Sequence, residues 1–213
     1  MMKVSRDQAI SLLLRGGCLV YPTETFYALG ASATSLQALE RICQIKLRPK
    51  DKPLPLILGS WKQLLQITEC ISPDLELLAD VFWPGPLSIL VSVQEFLPIH
   101  HLKDREGRVC VRWTSHPVAA QLCRDCGAPL VATSANMSGL PAVTSAEHLD
   151  PELICSVDGV LDLPPRPEGY LPSTIVRIVA PGVIRIVRSG AVPWESFQRL
   201  GFFLEKDELA EKR

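Results

Sequence analysis

Short apolar runs alternate with amphipathic stretches along most of this chain, and that alternation restricts it to an α/β domain. Ser5 with Gln8 makes a capping box for a helix whose Ala9, Ile10, Leu13 and Leu14 form one stripe, and Gly16-Gly17 stops it. Cys18-Leu19-Val20-Tyr21 then reads as a buried strand ending at Pro22. A second helix is expected from near Thr34, with Gln37 completing a box and Leu36, Leu39, Ile42 and Cys43 leading toward Lys46. Residues 54–58 form the next strand, and Ser72-Pro73 opens a helix on Leu75, Leu78, Ala79 and Phe82. Further strands are expected at 87–93, 108–112, 130–133 and 157–161, with a helix over 117–124. Residues 174–179 and 183–187 flank Ala180-Pro181-Gly182 as a hairpin, so the sheet is mixed. The proline-rich stretch 162–172 is expected to be a surface loop, residues 1–192 one domain, and 193–213 a short tail that is charged from Glu205 on.

With 213 residues, 47% of them hydrophobic, the chain can bury one large core. A formal charge of −1 excludes a surface coated in phosphate-seeking charge, so any basic surface must be local. No apolar run approaches the about 18 residues of a membrane span, and the N-terminus has no apolar signal core, which predicts a cytosolic, unanchored protein. Seven cysteines in mostly apolar surroundings fit reduced, buried thiols better than a disulfide framework. Cys123 and Cys126 have the spacing of a half-zinc motif but lack a second pair, and His100-His101 is an equally weak metal pair.

Chemistry gathers in segments that follow strands or helices. In and just after residues 45–53, prolines at 49, 53 and 55 force an extended backbone that would project Arg48, Lys50 and Lys52 together, with Lys46 at the helix end. Such a cationic strip suits a polyphosphate; a solvated loop is the alternative. Thr133-Ser134-Ala135-Asn136-Met137-Ser138-Gly139 leaves a strand end, where α/β sheets bind ligands, although an ordinary Asx or Ser turn has the same composition. Thr23 and Thr25 in Pro22-Thr23-Glu24-Thr25-Phe26-Tyr27 would share one side of an extended loop. Pro172-Ser173-Thr174 and Arg188-Ser189-Gly190 add two more hydroxyl-bearing strand ends. Together they describe a site for a small polar molecule and an anion, with no Ser/His/Asp order, Walker loop or dinucleotide glycine motif. His116, ahead of Pro117, is placed to cap a helix.

On these residues the chain resembles the YrdC family of threonylcarbamoyl-AMP synthases. Its family blocks are Pro22 to Gly30, Lys46 to Pro49, Arg112 to Pro117, Ser134 to Gly139, Pro172 to Thr174 and Arg188 to Gly190, in family order. The resemblance implies a twisted mixed sheet with flanking helices around a concave cationic cleft. It also implies condensation of L-threonine, bicarbonate or CO₂, and ATP into L-threonylcarbamoyl-AMP with release of pyrophosphate, for the t6A modification of tRNA. By motif, Thr25, Thr114, Ser134 and Ser173 would hold threonine, and Arg48, Lys52, Asn136, Thr144 and Arg188 would hold ATP. Lys46 and Arg48 would lie at the reacting carbamate and α-phosphate, with Mg²⁺ carried by ATP and no protein metal ligand. Ala28 stands where the family has glycine, and Trp113-Thr114 where many members have proline. The chain resembles the short bacterial form, which works with partner proteins that transfer the group to tRNA. The rival readings are an RNA-binding module using the same cleft, a silent paralogue, which the intact Lys-x-Arg and Ser-x-Asn disfavour, and a carbamoyl-transfer domain of hydrogenase maturation proteins.

Overall fold

A computed structural model describes residues 2–49, 52–93 and 99–205 as two mixed sheets with helices packed around them. Helix α1 (Arg6–Leu14) starts on the expected capping box, with Ser5 and Gln8 bonded reciprocally. Ala9 and Leu13 are its buried residues, whereas Leu14, assigned to the stripe from sequence, faces solvent. Strand β1 (Leu19–Pro22) turns at once into β2 (Tyr27–Gly30), its antiparallel partner. The second strand is hidden in sequence because the polar Thr-Glu-Thr ahead of it reads as the start of a loop.

Helix α2 (Leu36–Ile45) is capped by Ser35, which accepts from the Ala38 amide, so it begins later than the expected Thr34. Strand β3 (Leu56–Leu58) and the short α3 (Trp61–Leu65) follow, then α4 (Pro73–Phe82) on its Ser72 cap and first-turn proline. The chain continues through β4 (Leu87–Ser92), β5 (Arg108–Trp113), α5 (Pro117–Asp125), β6 (Leu130–Val131) and β7 (Thr133–Ser134). It ends with α6 (Pro151–Ser156), β8 (Gly159–Val160), β9 (Thr174–Ala180), β10 (Val183–Arg188), α7 (Trp194–Arg199) and β11 (Phe203–Leu204). Helix α6 was missed although Asp150-Pro151 is a cap followed by a first-turn proline.

The smaller sheet runs β7-β2-β1-β8 and the larger β11-β10-β9-β4-β5-β3-β6. The segment read from sequence as one strand, 130–133, is divided between them. β6 pairs with β3 and β7 with β2, while the Ala132 amide between them bonds to the Pro55 carbonyl at 3.0 Å. One segment thus stitches the sheets together, and the space beside it opens between them. Gly30 permits the close approach: a Cβ there would sit 2.0 Å from the Val131 carbonyl oxygen. The Tyr21 hydroxyl donates to that same oxygen at 2.5 Å, fixing the seam from the core side.

The expected tail from residue 193 belongs to the fold as far as Glu205. Phe197 is fully buried, its ring 5.2 Å from that of Phe82, and β11 pairs in parallel with β10. Trp194 and Phe197, one turn apart, give this end an apolar face that the sheet must cover. The charged residues 206–213 lie outside the described residues. No helix among the described residues is long and apolar enough to cross a membrane.

Candidate active site

A cavity of about 390 Å³ lies where the two sheets separate, lined by segments that are distant in sequence. The β1–β2 turn contributes Thr23 and Thr25, the segment after α2 contributes Arg48 and Lys52, and β7 contributes Ser134. Ser173 and Arg188 close the far side, and Leu56, Ile57, Cys110 and Ile175 supply an apolar floor. No aspartate or glutamate is among the described lining residues.

The β1–β2 turn is tight rather than extended. The Thr23 amide bonds to the Phe26 carbonyl at 3.1 Å, and the two threonine hydroxyls come within 3.3 Å of each other. They share a side, as expected, but through a hairpin. Ala28, in place of the family glycine, is accommodated in β2 opposite Ser134, buried and at the edge of the cavity.

The extended strip expected from the prolines is instead a turn. Leu47 takes a left-handed φ of 46°, and the Lys52 amide bonds back to the Pro49 carbonyl at 3.1 Å. Arg48 closes the turn itself, donating from Nε to the Lys52 carbonyl at 2.7 Å and from Nη2 to the Pro53 carbonyl at 2.5 Å. Folding does not scatter the charges, since Arg48 and Lys52 both line the cavity; Lys50 lies outside the described residues.

Lys46 points the other way. From the α2 C-cap its buried ammonium donates to the Ser134 carbonyl and to Asn136 Oδ1, each at 2.9 Å, and to the Asn136 carbonyl. Ser134 Oγ donates to the same Asn136 Oδ1, and Ser138 Oγ to the Lys46 carbonyl. All three ammonium protons therefore have acceptors, which favours the charged form. Burial first, then the Arg48 and Lys52 charges, act against it and lower Lys46 to about 8, leaving it largely protonated at neutral pH. Lys46 and Asn136, assigned to the reactants by resemblance, thus tie the α2 end to the β7 end behind the lining.

Thr114 and Thr144 also lie outside the lining. Thr114 is buried and donates to Glu24 Oε2 at 2.5 Å, so its hydroxyl holds a carboxylate and not the cavity contents. The other Glu24 oxygen accepts from Arg112, a lining residue that the site assignment from sequence omitted. Thr144 sits against Gly169, where an added Cβ would meet its methyl group at 2.1 Å. Gly169 has a φ of +79° and donates its amide to the Thr25 carbonyl at 2.9 Å, docking the proline-rich loop on the threonine turn. His116 occupies the N-cap position of α5 without a side-chain cap bond; its Nε2 lies 2.8 Å from the Pro165 carbonyl in that same loop.

At the far wall, Arg188 donates from Nη2 to the Ser173 carbonyl at 2.6 Å and to Ser173 Oγ at 2.9 Å. Ser88 Oγ stands 3.0 Å from Ser173 Oγ and lines the cavity beside it. Ser88 was passed over in sequence, although a serine within the apolar run of β4 was the signal available. Cys123 and Cys126 are both free thiols, and Cys123 is buried against the Ile57 carbonyl.

Fold and site define a class: a two-sheet α/β protein with a ligand cavity at its sheet junction, hydroxyls gathered at strand ends and guanidinium groups around them. The chain belongs to the Sua5/YciO/YrdC family, whose model, described as telomere recombination, matches residues 11–190. A threonylcarbamoyl-AMP synthase of Xanthomonas campestris pv. campestris (strain B100) is 39% identical over 158 residues, covering 73% of this chain and 84% of that one. The Pyrococcus abyssi threonylcarbamoyl-AMP synthase is 33% identical over 90% of this chain and 56% of its own. A crystal structure of P. abyssi Sua5 complexed with L-threonine superposes with a TM-score of 0.84 at 29% identity, covering 94% of this chain. This chain spans only 58% of that longer one.

Proposed function

We propose that this protein is an L-threonylcarbamoyladenylate synthase, joining L-threonine, bicarbonate or CO₂, and ATP into L-threonylcarbamoyl-AMP with release of pyrophosphate. The observation that carries this reading is the cavity itself: threonine and serine hydroxyls from several strand ends gather with Arg48, Lys52 and Arg188 over an apolar floor. Hydroxyls recognise a small amino acid without adding charge, while guanidinium and ammonium groups neutralise a triphosphate. Membership of a family with named threonylcarbamoyl-AMP synthases, and likeness to a threonine-complexed relative, support the same assignment.

In this reading Thr25, Ser134 and Ser173 hold threonine, and Arg48, Lys52 and Arg188 surround ATP to form a concave cationic cleft. The threonine amine takes up CO₂ as a carbamate. A carbamate oxygen then attacks the α-phosphorus, and the bond to the β-phosphate oxygen breaks to release pyrophosphate. Such a displacement needs alignment and charge neutralisation more than a strong base, which is what the described lining, free of carboxylates, supplies. Lys46 and Asn136 set the distance between the two halves by bonding to each other behind the wall.

Mg²⁺ bound to ATP would add charge neutralisation at the phosphates. Both oxygens of Glu24, the carboxylate beneath the threonine turn, are taken by Arg112 and Thr114, so the described donor set suits an ion carried by the nucleotide and not held by the protein. Downstream partners are tRNA-modifying transferases that accept the adenylate. A cytosolic location fits the seven free cysteines.

The test is pyrophosphate release by purified protein. Release is expected only when ATP, L-threonine and bicarbonate are all present, and release indifferent to threonine overturns the assignment.

A further inference from the structure

We propose that Glu40, His100 and His101 form a binding site for a divalent transition ion of the zinc type, separate from the cavity, that clamps α2 to the turn before β5. One ligating atom from each of the three side chains lies within 4.8 Å of the other two. In a tetrahedral zinc site, neighbouring ligands stand roughly 3.3 Å apart, so closure requires only modest rotation of side chains. Glu40 and His100 are exposed and can make that adjustment without disturbing the core.

Local structure explains why adjacent histidines can act together. Residues Ile99–His101 form a single 3-10 turn, and the two imidazoles lie together, their ring centroids 4.2 Å apart. In an extended strand they would point to opposite faces. Cys43, one helical turn beyond Glu40, brings its Sγ to 3.6 Å from His101 Nδ1, so α2 supplies both a ligand and a contact that orients the ring. Two imidazoles and one carboxylate are a donor set for zinc-like ions with an open fourth position; Mg²⁺ and Ca²⁺ prefer oxygen ligands alone.

The clamp reaches the chemistry through the backbone. The segment carrying Arg48 and Lys52 starts at the α2 C-cap, Lys46, and ends at Leu54, whose amide bonds to the His101 carbonyl at 2.8 Å. An ion joining α2 to the turn therefore fixes both ends of the phosphate-facing segment.

Zinc titrated into metal-free full-length protein is measured by equilibrium dialysis with elemental analysis, in the presence of excess Mg²⁺. One zinc ion per chain is expected, with affinity reduced at least about ten-fold in Glu40→Gln and in His100→Ala. His148→Ala, which removes an exposed histidine elsewhere, should bind like the parent. Circular dichroism checks that each variant is folded, and amide exchange at Leu54 should slow when zinc is added to the parent only. Absence of stoichiometric zinc, or affinity unchanged in Glu40→Gln and His100→Ala, overturns the site. Because zinc binding is read without turnover, the result is independent of whether the synthase assignment holds.

Discussion

Arg112 and Glu24 form an ion pair beneath the cavity, with side chains only 7% and 11% exposed, joining β5 to the β1–β2 turn. Thr114, two residues along the same segment, donates to the second carboxylate oxygen. The pair sets the height of Thr23 and Thr25 above the floor and leaves Arg112 electrically balanced, so that Arg48, Lys52 and Arg188 carry the excess positive charge of the lining.

Breaking that pair on one side should destabilise the fold. Glu24→Gln leaves a buried guanidinium without its counter-charge and is expected to cost roughly 3 kcal/mol in urea denaturation. Combining it with Arg112→Met should recover part of that loss, because no unpaired charge remains. Additive losses in the double variant would argue against a coupled pair.

Arg48 has two roles, facing the cavity and closing its own turn through the Lys52 and Pro53 carbonyls. Arg48→Ala should weaken ATP binding at least about ten-fold, on the scale of a lost charge-assisted hydrogen bond. Arg48→Lys keeps the charge but loses the fork, so it should recover little of that affinity. Calorimetric titration of ATP into the three proteins distinguishes them, and parental affinity in the lysine variant would mean that charge alone suffices.

Ser173 connects the Arg188 guanidinium to Ser88. Ser173→Ala should raise the KM for L-threonine about ten-fold, as expected for one hydrogen bond lost in a desolvated site, with little change in thermal stability. An unchanged KM would remove Ser173 from the threonine pocket.

Lys46 is held at about 8, below its usual 10.5. Between those values the unfolded chain binds more protons than the folded one, so the contribution of this group to stability rises with pH across the window. Its ammonium is lost over the same range, and with it one donor between Ser134 and Asn136. ATP affinity should therefore decline above about pH 8 in the parent, and should be low and free of that transition in Lys46→Met.

His116 is lowered from the usual 6.5, chiefly by burial, with Nε2 at the Pro165 carbonyl and Nδ1 buried without a partner among the described residues. The folded chain prefers the neutral ring, so stability should fall as pH drops below 6.5, where the unfolded chain takes up the proton. Comparing melting temperatures of parent and His116→Gln at neutral and mildly acidic pH checks this, since the variant should lack that part of the acid sensitivity.

The helix caps were legible because their chemistry is local: Ser5 with Gln8 and Ser72 with Pro73 start their helices where the residues say they should. Strand β2 was not, since four residues after a polar turn carry no period of their own and are buried by neighbours from elsewhere. The strip after α2 misled because proline restricts backbone angles but does not say which carbonyl an arginine will fold back to reach. Lys46 and Asn136 were recognised as site residues, yet not as partners, because 90 positions separate them.

Residue type and order were enough to determine the α/β class, the family and the hydroxyl- and cation-bearing segments that meet at the cavity. Tertiary structure alone decided which side chains line that cavity and which brace it. Arg112 and Glu24, 88 positions apart, pair because strand order brings their segments together. The same packing turns Thr114 and Lys46 away from the cavity, since a buried donor takes the nearest acceptor that folding supplies.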